Sequence, residues 1–156
     1  MNTATFGAGC FWGVEAAFCK IKGVKSTAVG YMGGTKEKPT YEQVCSDTTG
    51  HAEVLQVMFD PDVISYDDLL AVFWDIHDPT TSNRQGLDMG SQYRSVIFFH
   101  SSQQEKAARA LKNKLQKSTL YNKSIVTDIV PASTFWKAED YHQRYFEKQG
   151  QVRCAV

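Results

Sequence analysis

The stretch Thr3-Ala4-Thr5-Phe6-Gly7-Ala8-Gly9-Cys10-Phe11-Trp12-Gly13-Val14 changes its period in the middle. Residues 3–8 alternate and are half apolar, as in a strand. From Val14 onward the apolar residues Val14, Ala17, Phe18 and Ile21 fall at i, i+3, i+4 and i+7, one face of a helix. Cys10 therefore sits where a strand ends and a helix begins. The first N–H groups of a helix lack partners, and its dipole favours negative charge there. The thiolate is the reactive form of cysteine, and a helix N-terminus lowers its pKa. A lone cysteine is often only a small buried hydrophobe. Here Gly9 and Gly13 leave the sulfur uncrowded, and Phe11 and Trp12 put apolar surface beside it. The dipole contributes only about 0.3–1 kcal/mol, and one pKa unit is about 1.36 kcal/mol. A second group, or the substrate, must complete the activation.

Outward from this turn, the helix stops near Lys22-Gly23 and 24–31 reads as a strand closed by Gly33-Gly34. Residues 35–39 are a polar loop, 41–45 a short helical turn and 46–50 loop again. In the strand 51–59, Glu53, Leu55, Val57 and Phe59 share one parity. If that face is buried, Glu53 is a carboxyl at the rim of an apolar layer, and burial keeps such an acid protonated near neutral pH. If the strand end frays, Glu53 is solvated. Ser65 with Asp68 forms a near capping box ahead of a helix whose apolar stripe ends in His77, a packed histidine. Residues 80–92 form a long loop without periodicity, a length that is often functional. It delivers Asp88 and Tyr93 to the strand 94–100. A helix capped by Ser102 and Glu105 follows, then a strand over 125–130. Phe135-Trp136 introduces a last helix with Ala138, Tyr141, His142, Tyr145 and Phe146, capped by Gly150.

The order strand-helix-strand-strand-helix-strand predicts an α+β two-layer sandwich of the ferredoxin-like, split βαβ kind, with an extra C-terminal helix and tail. A doubly wound α/β fold is the alternative. The strands 24–31 and 51–59, with no long helix between them, argue against it. One domain is expected over 1–156, with 146–156 as a mobile tail. Formal net charge is zero, so nothing points to nucleic acid or an anionic membrane. The start lacks a basic segment followed by an apolar run, and the expected compartment is the cytoplasm. There Cys10, Cys19, Cys45 and Cys154 are thiols rather than a stapled framework. No Cys-x-x-Cys pair and no zinc-type spacing appears, so no metal is expected.

Five segments together resemble the A-type peptide methionine sulfoxide reductases: Gly9-Cys10-Phe11-Trp12-Gly13; Tyr41-Glu42-Gln43-Val44-Cys45-Ser46; Gly50-His51-Ala52-Glu53; Gly90-Ser91-Gln92-Tyr93-Arg94-Ser95; and Ala138-Glu139-Asp140-Tyr141-His142-Gln143. The resemblance implies a ferredoxin-like α+β fold. It implies that Cys10 attacks the sulfoxide sulfur and Glu53 protonates the oxygen. Tyr41 and Tyr93 would hydrogen-bond that oxygen, with Asp88 a polar member of the same pocket. Phe11 and Trp12 would receive the S-methyl group. It further implies action on the S epimer of free and protein-bound methionine sulfoxide, no metal or organic cofactor, and electrons from thioredoxin, or from dithiothreitol in the laboratory. A monomer is expected.

A sulfenic acid on Cys10 would then condense with a nearby thiol. Cys154 is the first candidate, since four residues beyond Gly150 reach about 13 Å. Cys19 and Cys45 are the alternatives. Cys19 lies nine positions from Cys10, half a turn out of phase and roughly 13 Å away on an ideal helix, whereas bridged Cα atoms lie within about 7 Å. Many members of the family carry two cysteines in a longer tail. This chain has one, which speaks against a two-step relay through the tail. Leu87 stands where a polar residue is frequent, and Lys137 where proline is. Two other readings remain: a cysteine hydrolase pairing Cys10 with His51, and a redox-sensitive module that grips methyl groups with Phe11 and Trp12.

Overall fold

The change of period at Gly9 is a change of element. Asn2–Ala8 form strand β1 and Phe11–Cys19 helix α1, in a computed structural model that describes residues 1–155. Val24–Met32 form β2, Tyr41–Cys45 the single-turn α2 and Ala52–Phe59 β3. Tyr66–Asp75 form α3, and the pairs Arg84–Gln85 and Asp88–Met89 make a small hairpin, β4 and β5. Ser95–Phe99 are β6, Ser102–Lys117 α4, Asp128–Pro131 β7, Trp136–Lys137 β8 and Tyr145–Lys148 α5. This is a mixed α+β architecture around one central sheet.

The six-stranded sheet has the order β7-β6-β1-β3-β2-β8. β1 runs antiparallel to both β3 and β6, and β2 antiparallel to β3. β1 and β2 are thus parallel to each other with β3 between them, and α1 makes the crossover. β3 and β6 are likewise parallel, with β1 between them and α3 in the connection. Only β7 pairs parallel to its neighbour. β1 is buried on both faces over most of its length, as a central strand covered on both sides must be.

One face of the sheet packs against α1, α3 and α4. Phe6, Val29, Tyr31, Leu55, Val57 and Phe59 belong to this layer, with Phe18 and Phe73 from the helices. The Phe6 ring lies 5.4 Å from Phe18 and 5.2 Å from Phe73, centroid to centroid. A buried ring so placed contributes about 3–5 kcal/mol. The opposite face is smaller: Met32, Val54, Val96 and Phe98 are covered by Ala132 and Phe135. Glu53 has the parity of Leu55 and so points into the helix layer.

Two segments depart at length from the sequence reading, and α4 is capped one residue earlier than expected, by Ser101 on the Gln104 amide. Residues 135–150 are not one helix: β8 is followed by a single 3-10 turn, Asp140–His142, and only then by the four-residue α5. The cause is tertiary. The Gln143 amide accepts from Val29 N–H at 2.9 Å and donates to Val29 O at 2.9 Å, so it serves as one more pairing unit for β2. Arg144 then turns left-handed with φ 52°, and its N–H donates to buried Glu15. Satisfying the backbone of β2 outweighs helix continuity there. The loop 80–92 is also less irregular than expected, because it contains the β4–β5 hairpin, turned through Gly86 at φ 57°.

Candidate active site

Cys10 is the N-cap of α1, with φ −56° and ψ 122°. The first amides of the helix have no partner further back in it. Phe11 N–H donates to Glu53 Oε1 at 3.2 Å. The Trp12 and Gly13 amides favour the Cys10 thiolate. Val14 N–H reaches the Cys10 carbonyl. Burial nevertheless dominates and, with the negative charge of Glu53 and Asp88 behind it, pushes the thiol up to about 11. At rest the group is a thiol.

Gly9 makes the turn possible. Its φ is +96°, and a Cβ there would approach the Gln85 side chain to 3.0 Å. Gln85 is fixed by two bonds to the Asp78 backbone. The hairpin therefore packs directly against the cysteine turn, and it carries Asp88, which is exposed.

Glu53 is 1% exposed. Its Oε1 takes the Phe11 amide, and its Oε2 has no hydrogen-bond partner among the described residues. Burial first, opposed by the Phe11 amide and aided by Asp88, lifts its pKa from the ordinary 4.5 to about 7. The buried reading of the 51–59 parity is the one that holds. Around this carboxyl stand two tyrosines whose hydroxyls burial keeps protonated, with the Glu53 charge adding to the effect. Tyr41 opens α2, and the Cys45 thiol beside its hydroxyl adds to the upward shift. Tyr93 ends the 3-10 turn Ser91–Tyr93 and feels Glu53, Cys45, Asp88 and Cys10. Thus Cys10, Glu53, Tyr41, Tyr93 and Asp88, spread over five elements, form one electrostatically coupled cluster.

The aromatic residues after Cys10 divide. Phe11 is buried, with its ring 5.8 Å from Tyr31 and 6.3 Å from Tyr41. Trp12 is half-buried and stacks on Tyr145 at 3.8 Å and 7°. Its indole N–H donates to His142 Nδ1 at 2.9 Å. The indole can only donate, so His142 carries its proton on Nε2. That atom is buried and, among the described residues, without a partner.

The segment 138–143 has no role in the sequence reading beyond its place in the resemblance, yet its residues hold the site together. Glu139 Oε2 accepts from Tyr41 N–H at 3.0 Å, and Oε1 from the Tyr31 hydroxyl at 2.9 Å. The signal in the sequence is polar residues crowded into an expected amphipathic helix. His77 is a packed histidine: it bonds Phe73 O and Ser95 Oγ, and burial lowers its pKa to about 4. His51 is equally occupied. Its Nδ1 accepts from Gly34 N–H and its Nε2 bonds Lys36 O. With both ring nitrogens spent on the backbone it is no base for Cys10, and the hydrolase reading falls.

Among the cysteines, Cys19 and Cys154 form a disulfide, while Cys10 and Cys45 are free. The expected partner of Cys10 is thus bonded to the far end of α1. Cys154 N–H donates to Glu147 Oε2 at 3.0 Å, and Ala155 N–H to Cys19 O at 2.8 Å. Among the described residues no group of three or more His, Cys, Asp or Glu side chains is arranged to hold a metal ion. No described helix is long and apolar enough to cross a membrane.

Comparison with known proteins matches residues 2–156 to the family described as peptide methionine sulfoxide reductase. A relative from Methanosarcina acetivorans, peptide methionine sulfoxide reductase MsrA, is 63% identical over 150 residues, covering 96% of this chain and 80% of its own. The crystal structure of Mxr1 from Saccharomyces cerevisiae in reduced form is 39% identical with a TM-score of 0.90, over 99% of this chain and 89% of that one. Mxr1 in complex with Trx2 is 29% identical here with a TM-score of 0.65, over 92% of this chain and 84% of that one.

Proposed function

The chain belongs to the MsrA family of peptide methionine sulfoxide reductases, oxidoreductases that reduce methionine sulfoxide through a cysteine thiol, and we propose how its own residues divide that reaction. Cys10 is the nucleophile. As substrate enters, the Cys10 proton passes to Glu53, and the thiolate attacks the sulfoxide sulfur. Glu53 delivers the proton to the sulfoxide oxygen, which is a poor leaving group until protonated. The Tyr41 and Tyr93 hydroxyls hold that oxygen, and Asp88 completes the polar side of the pocket. Phe11 and Trp12 form the apolar wall for the S-methyl group. The oxygen leaves methionine and ends on Cys10 as a sulfenic acid, so the step balances without metal or organic cofactor.

The observation that carries this reading is Glu53: a buried carboxyl with one oxygen tied to the first amide of α1, the other bare, and an affinity for protons tuned to about pH 7. Cys154 condenses with the sulfenic acid and releases water. Thioredoxin then reduces the enzyme, which the likeness to a solved chain bound to Trx2 supports. The substrates are the S epimer of free and protein-bound methionine sulfoxide. The working form is a cytoplasmic monomer with 146–156 as its movable tail, in a compartment where thiol reductants keep the cycle turning. The strand order β6-β1-β3-β2 with helical crossovers supports the ferredoxin-like description of the fold.

A chirally resolved methionine sulfoxide derivative tests the reading. With dithiothreitol the protein should consume the S epimer and leave the R epimer, and Cys10→Ser should consume neither. Turnover by Cys10→Ser, or equal use of both epimers, would refute it.

A further inference from the structure

We propose that Cys19 is a second resolving thiol, so that each turnover ends with the Cys19–Cys154 disulfide and a free Cys10. The proposal rests on the reading of Cys10 as nucleophile and Cys154 as first resolver.

The starting observation is the pairing itself. The tail sulfur is bonded to the C-terminal end of α1, and the sulfur at its N-terminal end is free. A nine-residue step along α1 spans roughly 13 Å, too far for Cys10 and Cys19 to bridge, since disulfide Cα atoms lie within about 7 Å. Cys154 is the sulfur that can visit both ends. It lies four residues beyond Gly150, whose φ of +76° marks a turn, and four residues reach about 13 Å. A crevice lined by Trp12, Ala16, Tyr145, Phe146 and Val152 seats the tail against α1 beside Cys19. At the Cys19 end the tail has a built dock: Glu147 accepts the Cys154 amide and the Cys19 carbonyl accepts the Ala155 amide. The sulfur that meets Cys154 at this dock belongs to α1.

The steps balance. The Cys10 sulfenic acid and the Cys154 thiol form the Cys10–Cys154 disulfide and water. The Cys19 thiol gives its proton to solvent and, as a thiolate, attacks the Cys154 sulfur; the Cys10–Cys154 bond breaks, and Cys10 leaves as a thiolate and takes up a proton from solvent. The product is Cys19–Cys154. Two thiols of thioredoxin or dithiothreitol then reduce that bond and are themselves oxidised to a disulfide. Cys19 is 1% exposed, so the external thiolate attacks Cys154 and Cys19 departs. The exchange clears the substrate pocket before any reductant arrives, because the tail docks at the far end of the helix.

Counting methionine decides the matter. Fully reduced enzyme, freed of reductant and given excess S-sulfoxide, should yield two methionines per chain. The first turnover ends at Cys19–Cys154, and the second at a Cys10 sulfenic acid. Cys19→Ser and Cys19→Ala should yield one. Peptide mapping of wild type after one equivalent of substrate should find Cys19 joined to Cys154, with Cys10 and Cys45 still open to alkylation. One methionine from wild type, two from either variant, or Cys10–Cys154 as the disulfide after one equivalent would each overturn the proposal. Should neither variant fold, the wild-type count and map still decide it. Methionine production by Cys10→Ser would instead show that the underlying reading of the nucleophile is wrong.

Discussion

Glu53 and Cys10 share one problem. Both are shielded from water, and the charge of Glu53 helps push the thiol up. By reciprocity, a Cys10 thiolate would raise the carboxyl in turn. With Cys10 near 11 and Glu53 near 7, the pair holds one proton between those values, mostly on sulfur. Moving it to the carboxyl is what substrate has to do. The productive form and this resting form carry the same number of protons, so kcat/KM should rise as pH passes upward through about 7. In Glu53→Gln the alkylation curve of Cys10 should shift to lower pH, because a negative neighbour is gone, while kcat/KM falls by roughly 10²–10⁴-fold with the general acid. An unshifted curve would show the two groups uncoupled. Stability moves the other way. The folded carboxyl ionises less readily than the unfolded one, so Glu53 costs stability as pH rises from 4.5 to about 7, roughly 3 kcal/mol in full. Glu53→Gln should therefore melt higher than wild type at pH 8 and not at pH 4. The parity of 51–59 makes Glu53 legible as a candidate buried carboxyl, and the resemblance makes it legible as the acid. Its closeness to Tyr93 and Asp88 is legible through the resemblance and not through local pattern, because those residues come from a loop whose path depends on the packing of Gln85 against Gly9.

At the scale of elements, α2 is too short to stand alone: a five-residue helix cannot repay its nucleation. It is held by the Thr40–Gln43 capping box and by the Glu139 carboxylate on its first amide. Burial opposes the charge of Glu139, yet the Tyr41 amide and Tyr31 hydroxyl prevail and hold its pKa below the ordinary glutamate value. Glu139→Gln loses a charge-assisted bond on the segment that presents Tyr41, and kcat/KM should drop by roughly 10-fold. Glu105→Gln breaks an exposed pair with Arg109 on α4 and should leave both activity and melting unchanged. Steady-state kinetics on the two variants check this. Glu139 escapes a reading of local pattern for the same reason that residues 135–150 look like one helix. Periodicity cannot see that Gln143 pairs with Val29 across the molecule, nor that Glu139 pairs with Tyr41. Where tertiary contact agrees with local pattern, as at the Ser65–Asp68 box of α3, the element is readable.

For the whole molecule, the Cys19–Cys154 bond joins residues 135 positions apart. In the chain-entropy account a closure of that length restricts the unfolded state by roughly 4–5 kcal/mol. Reduction should therefore lower the melting temperature by about 10 °C. Calorimetry with and without dithiothreitol would measure the difference, and Cys19→Ser should melt like the reduced wild type under both conditions. The same bond has a simple topological consequence. Once denatured, the oxidised chain is a lariat: almost the whole polypeptide is a covalent ring, and the nucleophile rides on the short strand that hangs from it. A lariat is more compact than a linear chain of equal mass. The oxidation state of the enzyme can thus be followed by eye, as a faster band on a denaturing gel that collapses to the slower one when reductant is added.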